Sequence, residues 1–318
     1  MEARQIALDV FKANALELAG IARDVAESRV NEITERYLGD LLRRNPAALA
    51  SFRDPDMQYA IFMAQREYAR SGSEELEQML VDLLVERATA TDLVRIVLNE
   101  AITVAPKLTA PQLDTLSLIL LLVHNPPFRY SFETLAEFGA YLTANVTPFI
   151  NESQNDSGTY LHLKYAGCVS MDSGGVGWPL RITGALLGCF TRAFSAEQLH
   201  NIDPNGRLAD ILIPCFHHWS ARQLKPMDEP SLRSLCAERG LGAKEVDGLL
   251  FLQTNYGLDG DAAYQLLTKL DPKFEILSNQ PFVGGLDYVQ LTSVGIAIAN
   301  ANVRRRIGLE FDLTYWIK

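Results

Sequence analysis

No segment of this 318-residue chain is basic. Residues 1–150 hold 14 Lys and Arg against 21 Asp and Glu, residues 151–227 hold 6 against 6, and residues 228–318 hold 9 against 12. The net charge is −10 and the isoelectric point about 5.1. Such a chain is repelled by the phosphates of nucleic acid, so DNA or RNA binding would need a local basic patch. Long apolar runs are also missing: the longest is Leu118 to Val123, far short of the ~20 residues of a membrane span. Cysteine is scarce. Cys168, Cys189, Cys215 and Cys236 stand far apart in apolar settings. The first twenty residues carry Glu2 and Asp9 among spaced apolar residues, which does not read as a secretory leader. The thiols are therefore expected to be reduced and buried, in a cytoplasmic protein. A phosphate loop is excluded as well. The glycine run Ser173 to Gly177 is followed by Trp178 and Pro179, where that loop needs Lys and then Ser or Thr. No cofactor is expected.

What remains is a foldable composition, 48% hydrophobic and 21% charged, with a strong helical period. Between residues 2 and 44 apolar side chains recur mostly in steps of three and four, at Ile6, Val10, Leu18, Ile21, Val25, Val30, Ile33, Tyr37 and Leu41. Proline is absent until Pro46. The pattern predicts one helix longer than ordinary domain helices, with Val25, Ile33, Tyr37 and Leu41 as candidate contacts to its own chain or a second copy. Asp54 before Pro55 predicts a capped helix start, with Tyr59, Phe62 and Met63 facing inward beside Tyr68. Helices around Leu76–Leu84 and Leu93–Val104 follow. Thr109 with Gln112 makes a capping-box pattern ahead of a helix that is apolar on nearly every side, with Leu116, Leu120 and Val123 marking either a central core helix or an apolar-ligand site. A further helix is predicted from Ser131 to Asn145. The fold class is mainly α: a long N-terminal helix and helical bundle over 1–150, an irregular and helical middle segment over 151–227, and a small winged-helix-like α+β unit over 228–318.

The middle segment opens on NESQNDSG, which reads as a polar linker. Ser195 with Gln198 repeats the capping-box pattern, and 208–222 is read as a helix kinked at Pro214. In the last unit three helices precede FEIL and DYVQL, read as two short strands, and a helix from Thr292 to Arg306 closes the unit. A DNA-reading winged helix would put Arg, Lys, Asn or Gln against base edges. Here the third helix starts with Asp259 and Asp261, and its wing has no Lys or Arg. Only Arg304, Arg305 and Arg306 could contact nucleic acid or another anion. At a helix C-terminus they also complement the dipole, with Glu310 or Asp312 as acidic partners.

Cys215, His217 and His218 are metal-ligand types, yet a single Cys-x-His is half of a zinc site. A buried thiol beside a histidine pair is the plainer reading. Glu100 lies in an apolar run and is expected to face the bundle and pair with an arginine.

The segments VLNEAITVAPKLTAPQLDTLSLILLLVHN, DPDMQYAIFMAQREYARSG and LTSVGIAIANANVRRRIG, with the terminal FDLTYWIK, resemble a family of uncharacterised bacterial accessory-genome proteins. The Leu-Thr-x-x-Gly helix start is loosely similar to abortive-infection proteins, and that resemblance implies phage defence as a setting. The functional expectation is a non-enzymatic sensor or adaptor that binds itself and another protein. Alternatives are a sensor of a lipid or phage component and a winged-helix DNA-binding regulator, nucleic acid being the weaker partner.

Overall fold

A computed structural model describes residues 2–90, 92–124, 134–171, 177–179, 193–215, 220–224, 229–252, 259–279 and 285–318. The fold is mainly helical with a few short antiparallel strands. Among the described residues no helix is long and apolar enough to cross a membrane. The chain divides into two compact units, Met1–Thr109 with Ser293–Lys318, and Ala110–Thr292. This division cuts across the segments 1–150, 151–227 and 228–318 suggested by composition.

The first unit is built from α1 (Glu2–Arg44), α2 (Pro55–Ser71), α3 (Glu74–Arg87), α4 (Asp92–Val104) and α12 (Ser293–Ile307). Helix α1 runs unbroken for 43 residues, ~65 Å at 1.5 Å per residue. Its C-terminal half seats Ile33, Tyr37 and Leu41 in the core. Polar clips flank that narrow stripe. Arg29 donates to the Ala69 carbonyl at 2.9 Å, Tyr68 donates to Glu32 at 2.7 Å, and Gln65 donates to Thr34 at 2.9 Å. Arg36 pairs with the fully buried Glu77 at 3.1 Å. Burial pushes the Glu77 carboxyl up. The Asp54 side chain caps α2 through the Asp56 amide, with Pro55 at the first helical position. Gly72 ends α2 at φ +65°. A Cβ there would both strain the backbone and collide with the Arg29 guanidinium. The inner face of α2 is Met57, Ala60, Met63, Ala64 and Tyr68, whereas Tyr59 and Phe62 are 61% and 57% exposed. The inward placement expected of those two is thus corrected: the residues one position away occupy the buried stripe. Glu100 is exposed too, and the buried acids are Glu77 on α3 and Asp82 one and a half turns on.

One buried cation ties three helices of this unit. Arg87 is 2% exposed. Its Nε donates to Asn99 at 2.6 Å, Nη1 lies 2.8 Å from the Met57 sulfur, and Nη2 pairs with Asp56. Tyr37 packs on Phe52 with ring centroids 5.7 Å apart, and its buried hydroxyl has no hydrogen-bond partner among the described residues.

The second unit holds α5 (Ala110–Val123), α6 (Leu135–Asn145), α7 (Ser157–Tyr165), α8 (Ala196–Ile202), α9 (Glu229–Glu238), α10 (Ala243–Leu252) and α11 (Gly260–Leu270). Helix α5 is buried all round, from Leu113 through Leu116, Leu118, Ile119, Leu120, Leu121 and Leu122. The Ser195–Gln198 capping box forms as the sequence predicts. Three expectations are corrected. NESQNDSG is not a linker: Asn151 and Gln154 form a capping box, and α7 starts at Ser157 with Asp156 as its cap. The helix read over 208–222 is not found in its described residues: β2 (Leu212–Pro214) pairs antiparallel with β3 (Arg222–Leu224). FEIL is not a strand: it lies in a 3-10 segment, Pro272–Asn279, whose Phe274 stacks on Trp178 at 6.1 Å. β4 (Val289–Leu291) pairs instead with β1 (Val169–Met171) in register Val169 to Leu291.

Candidate functional site

The sequence candidates fall in different places. Ile33, Tyr37 and Leu41 are spent on the chain's own core, while Val25 is 42% exposed. Leu116 and Leu120 are wholly buried, in the helix that Val123 closes. Cys215 is 8% exposed and packs with Ala193 and Ala221. His217 and His218 lie outside the described residues, as does Ser173 with its neighbouring glycines. Among the described residues no group of three His, Cys, Asp or Glu is placed to hold a metal.

The arginine run is split by its surroundings. Arg306 is exposed. Arg305 donates to Asn302 at 2.8 Å. Arg304 has its side chain only 11% exposed and sits among acids. It reaches Glu310 at 2.5 Å, Glu86 at 3.5 Å and Asp82 at 3.6 Å. Asp82 also receives Arg44 at 2.8 Å. Thus Arg304 is committed to carboxylates of its own unit.

Of these groups Glu86 and Glu310 border an open cavity of about 390 Å³. One wall is the end of α3 and the turn after it, Glu86, Thr89 and Ala90; Val94 of α4 adds to it. The other wall is the C-terminal tail from Glu310 to Thr314. The tail is fixed from two directions. Asn300, fully buried in α12, donates to the Phe311 carbonyl at 2.9 Å and accepts the Phe311 amide at 3.2 Å. Asp312 accepts the Thr314 amide at 2.9 Å and caps the turn Leu313–Tyr315. The Thr314 hydroxyl, which donates to the same carboxylate at 2.7 Å, and then the Thr314 amide hold the Asp312 carboxyl below its ordinary range. Phe311, Leu313 and Ile317 are buried beneath. Burial pushes Glu86 up to about 7, against the opposing pull of Arg304 and with help from Glu310, Asp82 and Asp312. The cavity therefore combines an apolar floor with three carboxylates and two hydroxyls, Thr89 and Thr314. In the sequence Glu310 and Asp312 stand out only as partners for the arginines, and Glu86 does not stand out. Its signal was an acid near the end of a helix whose inner face is Leu80, Leu83 and Leu84, two to six residues away.

A second feature is the outer part of α1. From Ala19 to Ser28 every residue is exposed except the half-buried Ala26. Ile21 is 55% and Val25 42% exposed. An uncharacterised protein family has a model that matches residues 1–317. The chain belongs to that family. The match carries no activity to any residue, and it lends no support to the likeness with abortive-infection proteins. Neither the curated proteins nor the solved structures give a match.

Proposed function

We propose that this protein is a non-enzymatic sensor or adaptor that works through self-association and contacts with other proteins. The observation that carries this reading is the exposed stretch of α1 from Ala19 to Ser28, where Ile21 and Val25 stand in solvent ahead of the part that packs on its own unit. Most helical stability in proteins comes from packing an apolar face, not from propensity. A helix that leaves its own core therefore gains its packing from a partner, and a second copy offers the same stripe. Further apolar surface supports the reading: Tyr59 and Phe62 on α2 and Leu93 and Ile96 on α4 are all exposed, and exposed apolar clusters mark interaction sites.

A DNA-reading role has less in its favour. Arg304 is engaged by acids, and the third helix of the C-terminal segment is capped by Asp259. Bacterial anti-phage defence is the setting we attach to the adaptor reading, on the likeness of the Leu-Thr-x-x-Gly tail alone. The test is the subunit mass of the full chain and of an Ile21→Asp, Val25→Asp double variant. The reading expects an oligomer that the double variant dissociates; a monomeric wild type rejects self-association.

A further inference from the structure

We propose that the acid-walled cavity bounded by α3, α4 and the C-terminal tail receives a lysine or arginine side chain presented by a partner protein. The proposal rests on the reading of the chain as a protein-binding module and adds a second surface to it, apart from α1.

Charge complementarity selects the occupant. Glu86, Glu310 and Asp312 face the cavity, and Arg304 divides its single charge between Glu86, Glu310 and Asp82. The walls therefore carry an excess of negative charge. The apolar part, Ala90, Val94 and Phe311 among it, suits the aliphatic stem of Lys or Arg, which packs on apolar surface while its head stays polar. Thr89 and Thr314 supply hydroxyl acceptors. A volume of about 390 Å³ lies within the ~300–1,000 Å³ of sites for small molecules. The carboxylates are not grouped as metal ligands, which favours an organic cation over a bare ion. The cavity opens to solvent beside Glu310, whose side chain is 63% exposed, so a side chain enters without unfolding the wall.

A basic side chain pairs best with ionised Glu86. The groups facing Glu86 are Arg304 from α12, Glu310 and Asp312 from the tail, and Asp82 from its own helix. With its carboxyl pushed up to about 7, roughly one molecule in ten is ionised at pH 6, so binding should weaken about tenfold between pH 8 and pH 6.

The experiment is calorimetric titration of the full chain with two capped heptapeptides, one with a central lysine between apolar residues and one with norleucine in its place. The lysine peptide should bind, the norleucine peptide at least tenfold more weakly. Glu86→Gln should remove the pH dependence and weaken binding at pH 8, and Ala90→Leu, which fills the cavity, should abolish it. Folding of both variants is checked by circular dichroism; Glu86→Gln alone is decisive should Ala90→Leu fail to fold. No lysine-peptide binding up to millimolar concentration, or binding indifferent to Glu86→Gln, overturns the proposal. Butylammonium binding as tightly as the peptide would assign the cavity to a free amine and overturn the partner reading. A monomeric chain that still binds the lysine peptide would reject self-association and leave this site standing.

Discussion

Replacing Glu86 by glutamine should stabilise the protein above neutral pH and do nothing at pH 4.5 and below. Glu86 has its side chain 19% exposed, so solvent screens it little. Its carboxyl is pushed up from 4.5 to about 7, with burial the largest cause. The sign follows from linkage. Between pH 4.5 and 7 the folded chain holds a proton on Glu86 that the unfolded chain has released, so stability falls as pH rises through that window. A raised acid thus destabilises at high pH, opposite to an ion-paired carboxylate with a depressed value. The shift corresponds to roughly 3 kcal/mol once both states are ionised. Gln mimics the protonated form and escapes that loss. The pull of Arg304 on Glu86 is already included in that shift, and Arg304 keeps Glu310 and Asp82 in the variant. Urea unfolding of both chains at pH 5 and pH 8 measures the effect. The variant should gain on the order of 2–3 kcal/mol at pH 8 relative to pH 5. A variant less stable than wild type at pH 8 would show that Glu86 is held as a stabilising ion pair, and would refute the reasoning.

Tyr37→Phe removes a buried hydroxyl that has no hydrogen-bond partner among the described residues, so stability should hold or rise by up to ~1 kcal/mol in urea melts. Arg87→Met strips the buried guanidinium from Asp56, Asn99 and Met57. It should cost about 3 kcal/mol, the low end for a broken buried pair, because the Asp56 side chain is 50% exposed and can hydrate. Asn300→Leu leaves the Phe311 amide and carbonyl unpaired. It should cost roughly 2 kcal/mol and speed hydrogen exchange from Gly308 to Lys318 while α1 to α4 keep their protection.

Local signals were legible in the sequence. Asp54 before Pro55, and Ser195 with Gln198, are satisfied within four residues, so the helix starts they mark appear where expected. The stripe Ile33, Tyr37, Leu41 was readable because a helix repeats its face every three or four residues. The misread strands share a physical cause: they depend on partners distant in the chain, whereas NESQNDSG was misread although its caps are local. β4 finds β1 some 120 residues earlier. The apolar run before Cys215 is short, and such runs fit strand or helix equally until the pairing strand is known; Arg222–Leu224 decides it. Tyr59 and Phe62 attracted an inward reading by size, yet the smaller Ala60 and Ala64 allow α2 to approach its neighbours. The cavity was invisible for the same reason. Helix α12 carries the tail back to α3, and Arg304 meets Asp82 and Glu86 across more than two hundred residues. A row of three arginines suggested a free basic patch, and only folding shows the first of them enclosed by acids.

We propose that α1 recruits a partner through its exposed stretch. Native mass spectrometry of the full chain beside the Ile21→Asp, Val25→Asp double variant tests it most directly. The wild type should be an oligomer and the variant a folded monomer. A wild-type monomer, or an oligomer that persists unchanged in the variant, would contradict it.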